Sequence, residues 1–332
     1  MTTDEIREIC RRFYPTENIA AVKLLGSRLI VEIKNLAENP DTTAQLKQNL
    51  ALLLPDKKIS VVFVEDKNAN LSTDAMEKWN LPNIKKIIGV ASGKGGVGKS
   101  TTAVNLALAL SKEGKKTALL DADIYGPSIP TMLGYEGQPL LSSDGETFLP
   151  FEACGIKSVS IGSLISRDTP IIWRGVKISG ALEQLMTQTN WGEIDIMVID
   201  MPPGTGDIQI TLSQRASLDG VVIVSTPQDI ALIDAIKGVN MFKKTGTPIL
   251  GIIENMSYFI CPCCGERSDI FGHEGARQTA KKLGEVFLGE IPLDMAIREN
   301  ADKGCPVVLS QPDSPYSRAY TDIAKKIIAR IG

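Results

Sequence analysis

The chain has 332 residues, 43% of them hydrophobic and 23% charged, with a net charge of −3 at neutral pH. That length can bury a substantial core in one large domain or two unequal ones, and the composition is that of a globular protein. The slightly acidic balance excludes a global field that attracts nucleic acid or an anionic membrane, and no apolar run approaches the roughly 20 residues of a membrane span.

The first residues carry Asp4, Glu5 and Glu8 without the apolar core of a secretory signal, so the cytoplasm is the expected compartment. Six cysteines do not make a disulfide scaffold. Cys10, Cys154 and Cys305 are dispersed, whereas Cys261, Cys263 and Cys264 fall within four positions.

Residues 1–66 predict a small α+β unit in the order α-β-β-α-β. Residues 3–13 read as a helix with Ile6, Ile9 and Cys10 on one face, Cys10 being a buried helix residue. Strands are expected over 21–26, 29–34 and 58–65, and a helix over 46–54. Residues 67–83 are polar and weakly patterned and predict a linker, with Trp79 and Leu81 able to dock it against the next domain.

From residue 84 the pattern becomes α/β. An apolar run enters Gly93-Lys94-Gly95-Gly96-Val97-Gly98-Lys99-Ser100-Thr101, and an alanine- and leucine-rich helix, expected over 102–112, leaves it. This is the strand-to-helix setting of a phosphate-binding loop. Glycines let the backbone curl around an anion with its N–H groups inward, and the helix start adds positive dipole. Lys99 would reach the β- and γ-phosphates of ATP, and the Ser100 hydroxyl would join the shell of Mg2+. Lys94 is a second cation, on the opposite lip of the loop.

The next strand, 116–120, runs into Asp121 and Asp123, whose spacing lets both carboxylates share a face. Asp123 is read as the residue that orients the attacking water, with Asp121 as its support. Residues 140–154 look irregular, 156–161 form a strand, and 175–188 a helix. The strand at 194–199 ends at Asp200, a carboxylate placed to meet Mg2+. Pro202-Pro203-Gly204-Thr205-Gly206-Asp207 forms the adjoining loop, able to curl around a γ-phosphate. Further strands are expected at 221–225 and 249–253, and helices from Asp229 and from Glu274. A last amphipathic helix over 314–331 carries Ala319, Ile323, Ile327 and Ile328. Continuous apolar strands separated by helices predict a mostly parallel sheet covered by helices on both faces.

Asn255 has an amide that could pair with a purine edge, or could simply form a turn. Cys261 and Cys264 stand at the spacing of a thiolate pair on one soft metal centre, and one chain supplies only two or three of the four ligands such a centre takes. The residues leave four readings open: a [4Fe–4S] cluster shared across a twofold homodimer, a zinc site that adds Cys263 or His273, a redox dithiol, or an inert cluster of small hydrophobes.

Lys94 resembles the signature lysine of the deviant Walker A group, which includes the nitrogenase iron protein and the MinD and ParA ATPases. In that group the lysine crosses a nucleotide-sandwich dimer. More widely, residues 93–101, 121–128, 200–207, Thr226-Pro227-Gln228 and 254–258 resemble the Mrp/ApbC family of iron–sulfur cluster carrier ATPases, with Trp173-Arg174-Gly175 and Ile270-Phe271-Gly272 adding to the match. Residues 1–66 lie where that family carries a domain like that of cytosolic iron–sulfur assembly factors, here in degenerate form. Glu274 stands where the family carries glycine, and Val176 where it carries proline.

The resemblance implies a P-loop NTPase domain over 84–332 that hydrolyses ATP to ADP and phosphate with Mg2+. It puts Asn255 at adenine, Ser100 and Asp200 at the metal, and a [4Fe–4S] cluster on the paired Cys261 and Cys264 of a homodimer. It further implies transfer of that cluster to recipient apoproteins, with iron–sulfur assembly scaffold proteins as partners, and no stable membrane insertion. The competing readings are a ParA/MinD-like organiser bound to DNA or membrane, and a zinc-binding P-loop ATPase. Against the organiser stand the negative net charge and a C-terminal helix without a basic stripe, despite Lys325, Lys326 and Arg330.

Overall fold

The structure, a computed structural model, describes residues 2–25, 28–34, 39–64, 78–142, 145–164 and 175–332. The chain divides into two compact units, residues 1–76 and 77–332. In the first, α1 (Thr3–Cys10) starts on a capping box: the Thr2 hydroxyl accepts the Glu5 N–H while the Glu5 carboxylate accepts that of Thr2. β1 (Ile19–Leu25) pairs antiparallel with β2 (Arg28–Lys34). After α2 (Pro40–Leu53), β3 (Lys58–Val64) lies parallel to β2. Leu29, Val31 and Ile33 of β2 close a core with Ile6, Cys10, Leu46 and Leu50. Burial pushes the Cys10 thiol up to about 11, in keeping with a packed side chain. α2 begins well before the expected 46. Its first turn is polar and shows no apolar repeat, but Asn39 Oδ1 accepts the N–H groups of Asp41 and Thr42, and Pro40 occupies the first turn.

The second unit is built around an eight-stranded sheet. It opens with β4 (Ile84–Ala91), α3 (Lys99–Lys112), β5 (Thr117–Asp121) and α4 (Ile129–Met132). A hairpin of β6 (Leu141–Ser142) and β7 (Phe148–Leu149) precedes β8 (Phe151–Ala153) and β9 (Ile156–Ser160). Then come α5 (Gly175–Thr187), β10 (Ile194–Asp200), α6 (Asp207–Arg215), β11 (Gly220–Ser225), α7 (Asp229–Lys244) and β12 (Ile249–Glu254). A second hairpin, β13 (Phe259–Ile260) and β14 (Arg267–Ser268), leads to α8 (Gly275–Leu283), β15 (Phe287–Glu290), α9 (Met295–Asp302), α10 (Val307–Ser310) and α11 (Pro315–Ile331). Strand order is β15-β12-β11-β4-β10-β5-β9-β8, parallel except for β8.

Strand periodicity sorts the core into two layers. Ile87 and Ala91 of β4 and Met197 and Ile199 of β10 pack on one face of the sheet, while Ile88, Val90, Ile196 and Val198 pack on the other. Both faces being covered, the central strands are apolar along their buried middles and polar only towards their ends, as a parallel sheet requires.

α3 is buried without interruption from Thr102 to Leu110, so its outer side needs a cover, and α11 supplies it. The buried stripe of α11 runs through Tyr316, Tyr320, Ile323, Ala324 and Ile327; Ala319 and Ile328, expected on that stripe, are its partly buried flanks. Exposing Ile323 and Ile327 to water would cost about 3–6 kcal/mol, so the stripe holds α11 on the domain. No helix among the described residues is long and apolar enough to cross a membrane.

Local differences from the sequence reading have simple causes. α3 begins at Lys99, at the end of the glycine-rich loop where its dipole is expected and three residues before the apolar-rich stretch from 102, because Gly98, at φ +79°, turns the chain directly into the helix. Residues 140–154, expected to be irregular, contain β6, β7 and β8, strands too short to show a period. α6 has no counterpart among the expected elements: its sequence mixes β-branched and polar residues, and only Gln209, Leu212 and Ser213 are buried. Trp79 is buried in the core of the second unit, its backbone N–H donating to the Arg215 carbonyl at 2.9 Å. Residues 67–77 of the expected linker, and Trp173 and Arg174, lie outside the described residues.

Candidate active site and thiol hairpin

Parallel register brings polar strand ends to one edge of the sheet. Asp200 aligns with Asp121 on one side and Val90 on the other, and Asp121 aligns with Ser160. Across β4, Ser225 aligns with Glu254, and Glu254 with Glu290. The phosphate-loop sequence leaves β4 at this same edge. A parallel sheet presents its carboxyl ends to ligands in this way.

The loop, Asp123 and Pro203 line a cleft of about 260 Å³ that also takes in Lys94, Gly95, Gly96, Ser100 and Thr101. Ser92 Oγ donates to the Lys94 carbonyl at 2.9 Å, and the Gly204 N–H donates to the Ser92 carbonyl at 2.9 Å. The segment after Asp200 is therefore tied to the loop, and the Gln209 amide holds it from behind by donating to the Pro202 carbonyl. Gly93 lies so close to the backbone of Asp234 in α7 that a Cβ there would collide with it.

Lys99 is only 6% exposed. Its ammonium lies 2.6 Å from Asp200 Oδ1, 3.2 Å from Ser100 Oγ and 3.4 Å from Asp123 Oδ2. The other oxygens, Asp200 Oδ2 and Asp123 Oδ1, are buried with no hydrogen-bond partner among the described residues. Asp121 is engaged by its own turn and the next strand: Oδ2 accepts the Ser160 hydroxyl at 3.0 Å and the Ile129 N–H at 3.3 Å, and Oδ1 accepts the Asp123 N–H at 3.2 Å. It pins both ends of the turn that carries Asp123. Burial, reinforced by the charge of Asp200, pushes the Asp121 carboxyl up to about 8. Burial also raises Asp200, against the pull of Lys99.

Asn255 is buried against the loop. Its Nδ2 donates to the Val97 carbonyl at 2.8 Å, and any Cβ at Gly98 would strike that nitrogen. Beyond it, β13 and β14 carry the cysteines at their turn. The Cys261 N–H donates to the Glu266 carbonyl at 2.9 Å and that of Gly265 to the Cys261 carbonyl at 2.8 Å, with Gly265 at φ +72°. Backbone N–H groups of Cys264 and Cys263 directed at the Cys261 sulfur hold its thiol below the ordinary value. Cys263 and Cys264 are exposed and Cys261 partly so; all three are free thiols. His273 is engaged elsewhere, its Nδ1 2.7 Å from Asp269 Oδ2.

Comparison with known proteins decides the family. Residues 83–328 match the family described as ParA, NUBPL iron-transfer P-loop NTPase. The chain belongs to this family. It is 52% identical over 255 residues to the iron–sulfur cluster transfer protein NUBPL of Dictyostelium discoideum, across 76% of this chain and 79% of that one. Over 248 residues it is 52% identical to the iron–sulfur cluster carrier protein of Escherichia coli K12, across 75% of this chain and 67% of that one. The nucleotide-binding protein of Archaeoglobus fulgidus, solved with ADP, superimposes with a TM-score of 0.60 at 42% identity, covering 68% of this chain and 88% of that one. MinD of Pyrococcus furiosus shares the fold, with a TM-score of 0.56 at 24% identity over 74% of this chain and 98% of its own.

Glu274, which stands at a position expected to be glycine in the family, has φ +53°, the left-handed conformation that glycine adopts without strain. Among the described residues no group of three or more His, Cys, Asp or Glu side chains is arranged to hold a metal ion. Sequence reasoning missed Ser160 and Gln209. Ser160 carried a usable signal, a polar residue ending an apolar strand; Gln209 carried none.

Proposed function

We propose that this member of the family is a Mg2+-dependent ATPase that carries a [4Fe–4S] cluster on Cys261 and Cys264, completed by the same pair of a second copy, and transfers it to recipient apoproteins. The observation that carries the reading is an exposed C-x-x-C pair that supplies two thiols per chain at the sheet edge occupied by the phosphate loop. A twofold axis doubles two ligands to the four a cluster takes. Exposed apolar side chains on that edge, Tyr125, Ile230, Ile233, Ile260 and Ile270, support a partner copy seated there. The names of the Dictyostelium and Escherichia coli relatives support the same cargo.

For hydrolysis, N–H groups of residues 93–101 and the Lys99 ammonium would cradle the phosphates of ATP, and Lys94 would reach phosphate oxygens from the far lip, within its own chain or across the dimer. Mg2+ fits the donor set: Asp200 Oδ2 is a buried carboxylate oxygen with no hydrogen-bond partner among the described residues, and Ser100 Oγ lies 3.2 Å from the Lys99 ammonium that the other Asp200 oxygen holds. When bound, the ion supplies positive charge to the β- and γ-phosphate oxygens. Asp123, with one buried oxygen unpartnered and the other leaning on Lys99, would orient the attacking water, while Asp121 fixes its turn. Asn255 would meet the purine from its place on the loop. Positioning and charge neutralisation suffice for phosphoryl transfer to water, giving ADP and phosphate.

The unpaired thiols fit a reducing compartment such as the cytoplasm, and iron–sulfur scaffold proteins are the partners that would load the pair. The test is anaerobic reconstitution with iron and sulfide, with iron, sulfide and the visible spectrum measured for the parent, Cys261→Ala and Cys264→Ala. One cluster per two chains, lost in both variants, is the expected result. A spectrum unchanged by the substitutions overturns the ligand assignment, and zinc without sulfide replaces the cargo.

A further inference from the structure

Residues 254–258 join the phosphate loop to the cysteine hairpin and form hydrogen bonds in both directions. Towards the loop, Asn255 Nδ2 donates to the Val97 carbonyl at 2.8 Å. Towards the hairpin, Ser257 Oγ lies 2.6 Å from Glu254 Oε1 and 3.3 Å from Glu290 Oε2. Glu290 Oε1 in turn accepts from Arg267 Nη1 at 3.3 Å. Arg267 stands in β14, the strand by which the chain leaves the cysteines. Its Nε donates to Asp269 Oδ1 at 3.1 Å, and its guanidinium carbon sits 4.1 Å from the centre of the Tyr258 ring.

Two features make this more than a surface ion pair. A guanidinium can engage two carboxylates and an aromatic face at once because its donors are fixed in a plane, which a lysine ammonium cannot reproduce. Ser257, by contrast, has one hydroxyl proton for two carboxylates. The shorter distance assigns that proton to Glu254, which is fully buried and whose Oε2 accepts the Ala276 N–H at the start of α8 at 2.6 Å. Donation to Glu290 is the alternative arrangement. It would loosen Glu254, next in sequence to Asn255, and draw charge from the Glu290 carboxylate, easing its hold on Arg267. The single proton thus has two acceptors within reach, of which Glu254 is the nearer.

We propose that Arg267 is a positioning residue for Cys261 and Cys264 and that, through Glu290 and Ser257, it makes the placement of these thiols depend on the nucleotide held beside Asn255. The proposal rests on the reading of the cleft as a nucleotide site and of the thiols as cargo ligands. Linkage makes the effect reciprocal: nucleotide shifts the hairpin by the factor by which an occupied hairpin shifts nucleotide affinity.

The test uses the full chain without iron. The rates at which iodoacetamide alkylates Cys261 and Cys264 are measured by peptide mass spectrometry, with and without saturating Mg2+ and a non-hydrolysable ATP analogue. In the parent, nucleotide should change the rates by about fivefold or more. In Arg267→Gln the ratio should collapse to about one, with Arg267→Lys intermediate. Ser257→Ala, which removes one hydroxyl and leaves Arg267 in place, repeats the test if Arg267→Gln does not fold, and should also lose the ratio. No nucleotide effect in the parent, or an undiminished ratio in a folded Arg267→Gln or Ser257→Ala protein, overturns the proposal. Because the readout needs no cluster, a protein that keeps the ratio but takes up no iron or sulfide would refute the carrier reading and leave the coupling standing.

Discussion

Lys99 and Asp200, 101 positions apart in the chain, meet at 2.6 Å between Nζ and Oδ1 in a place closed to solvent. The same ammonium leans on Asp123 at 3.4 Å, so one cation serves carboxylates from two strand ends. Such an arrangement is held by mutual compensation, and removing one member exposes the cost of the others.

Lys99→Met should therefore abolish ATP hydrolysis and also destabilise the fold by about 3–5 kcal/mol, since buried carboxylates are left without a counter-charge. Asp200→Asn keeps shape and removes charge; it should lower hydrolysis by about 10²–10³-fold with a smaller stability change. Phosphate release and urea unfolding measure the two effects. A Lys99→Met protein as stable as the parent would show that the pair does not carry the compensation described.

Asp121 gives a pH dependence of defined sign. Its folded value of about 8 lies above the ordinary carboxylate value because of burial and the neighbouring Asp200. Between about pH 4 and pH 8 the folded state thus holds a proton that the unfolded state has released, so this group makes stability fall as pH rises through that window. Asp121→Asn should flatten the dependence of the urea midpoint on pH by up to one proton, about 1.4 kcal/mol per pH unit. An equally steep profile in the variant would place the titration elsewhere.

Two loop glycines should respond differently to the same substitution. Gly96 and Gly98 both have φ +79°, but a Cβ at Gly96 meets open space, whereas one at Gly98 collides with Asn255. Gly96→Ala should carry only conformational strain, about 1–2 kcal/mol. Gly98→Ala adds the displacement of Asn255 and should weaken ADP–Mg2+ binding by a further tenfold or so, the equivalent of about 1.4 kcal/mol. Calorimetric titration of both variants distinguishes them, and equal losses would remove the Asn255 contact from the account.

Asn255→Ala removes the bond to the Val97 carbonyl, worth about 0.5–1.5 kcal/mol. If the amide also reads the purine, the variant should lose discrimination between ATP and GTP. If it only braces the loop, both nucleotides should weaken by the same factor. Competition binding with the two nucleotides decides between these roles.

Much of this molecule was legible without coordinates. The glycine-rich stretch at 93–98 between an apolar strand and an alanine-rich helix specifies its own local geometry, because the backbone conformations it needs are open to few other residues. The unbroken apolar strands announced a covered parallel sheet, since no other environment accepts them. The spacing of Cys261 and Cys264 likewise marks a local thiol pair, whose role as cluster ligands is the proposal made above. What the chain could not declare are relationships set by register between distant strands. That Ser160 orients Asp121, that Lys99 falls between Asp123 and Asp200, and that Arg267 reaches Ser257 by way of Glu290 depend on which strands lie side by side and where they end. Periodicity reports which face of an element is buried. It carries no information on what that face meets, and so the wiring of charges at the sheet edge was decided by tertiary packing alone.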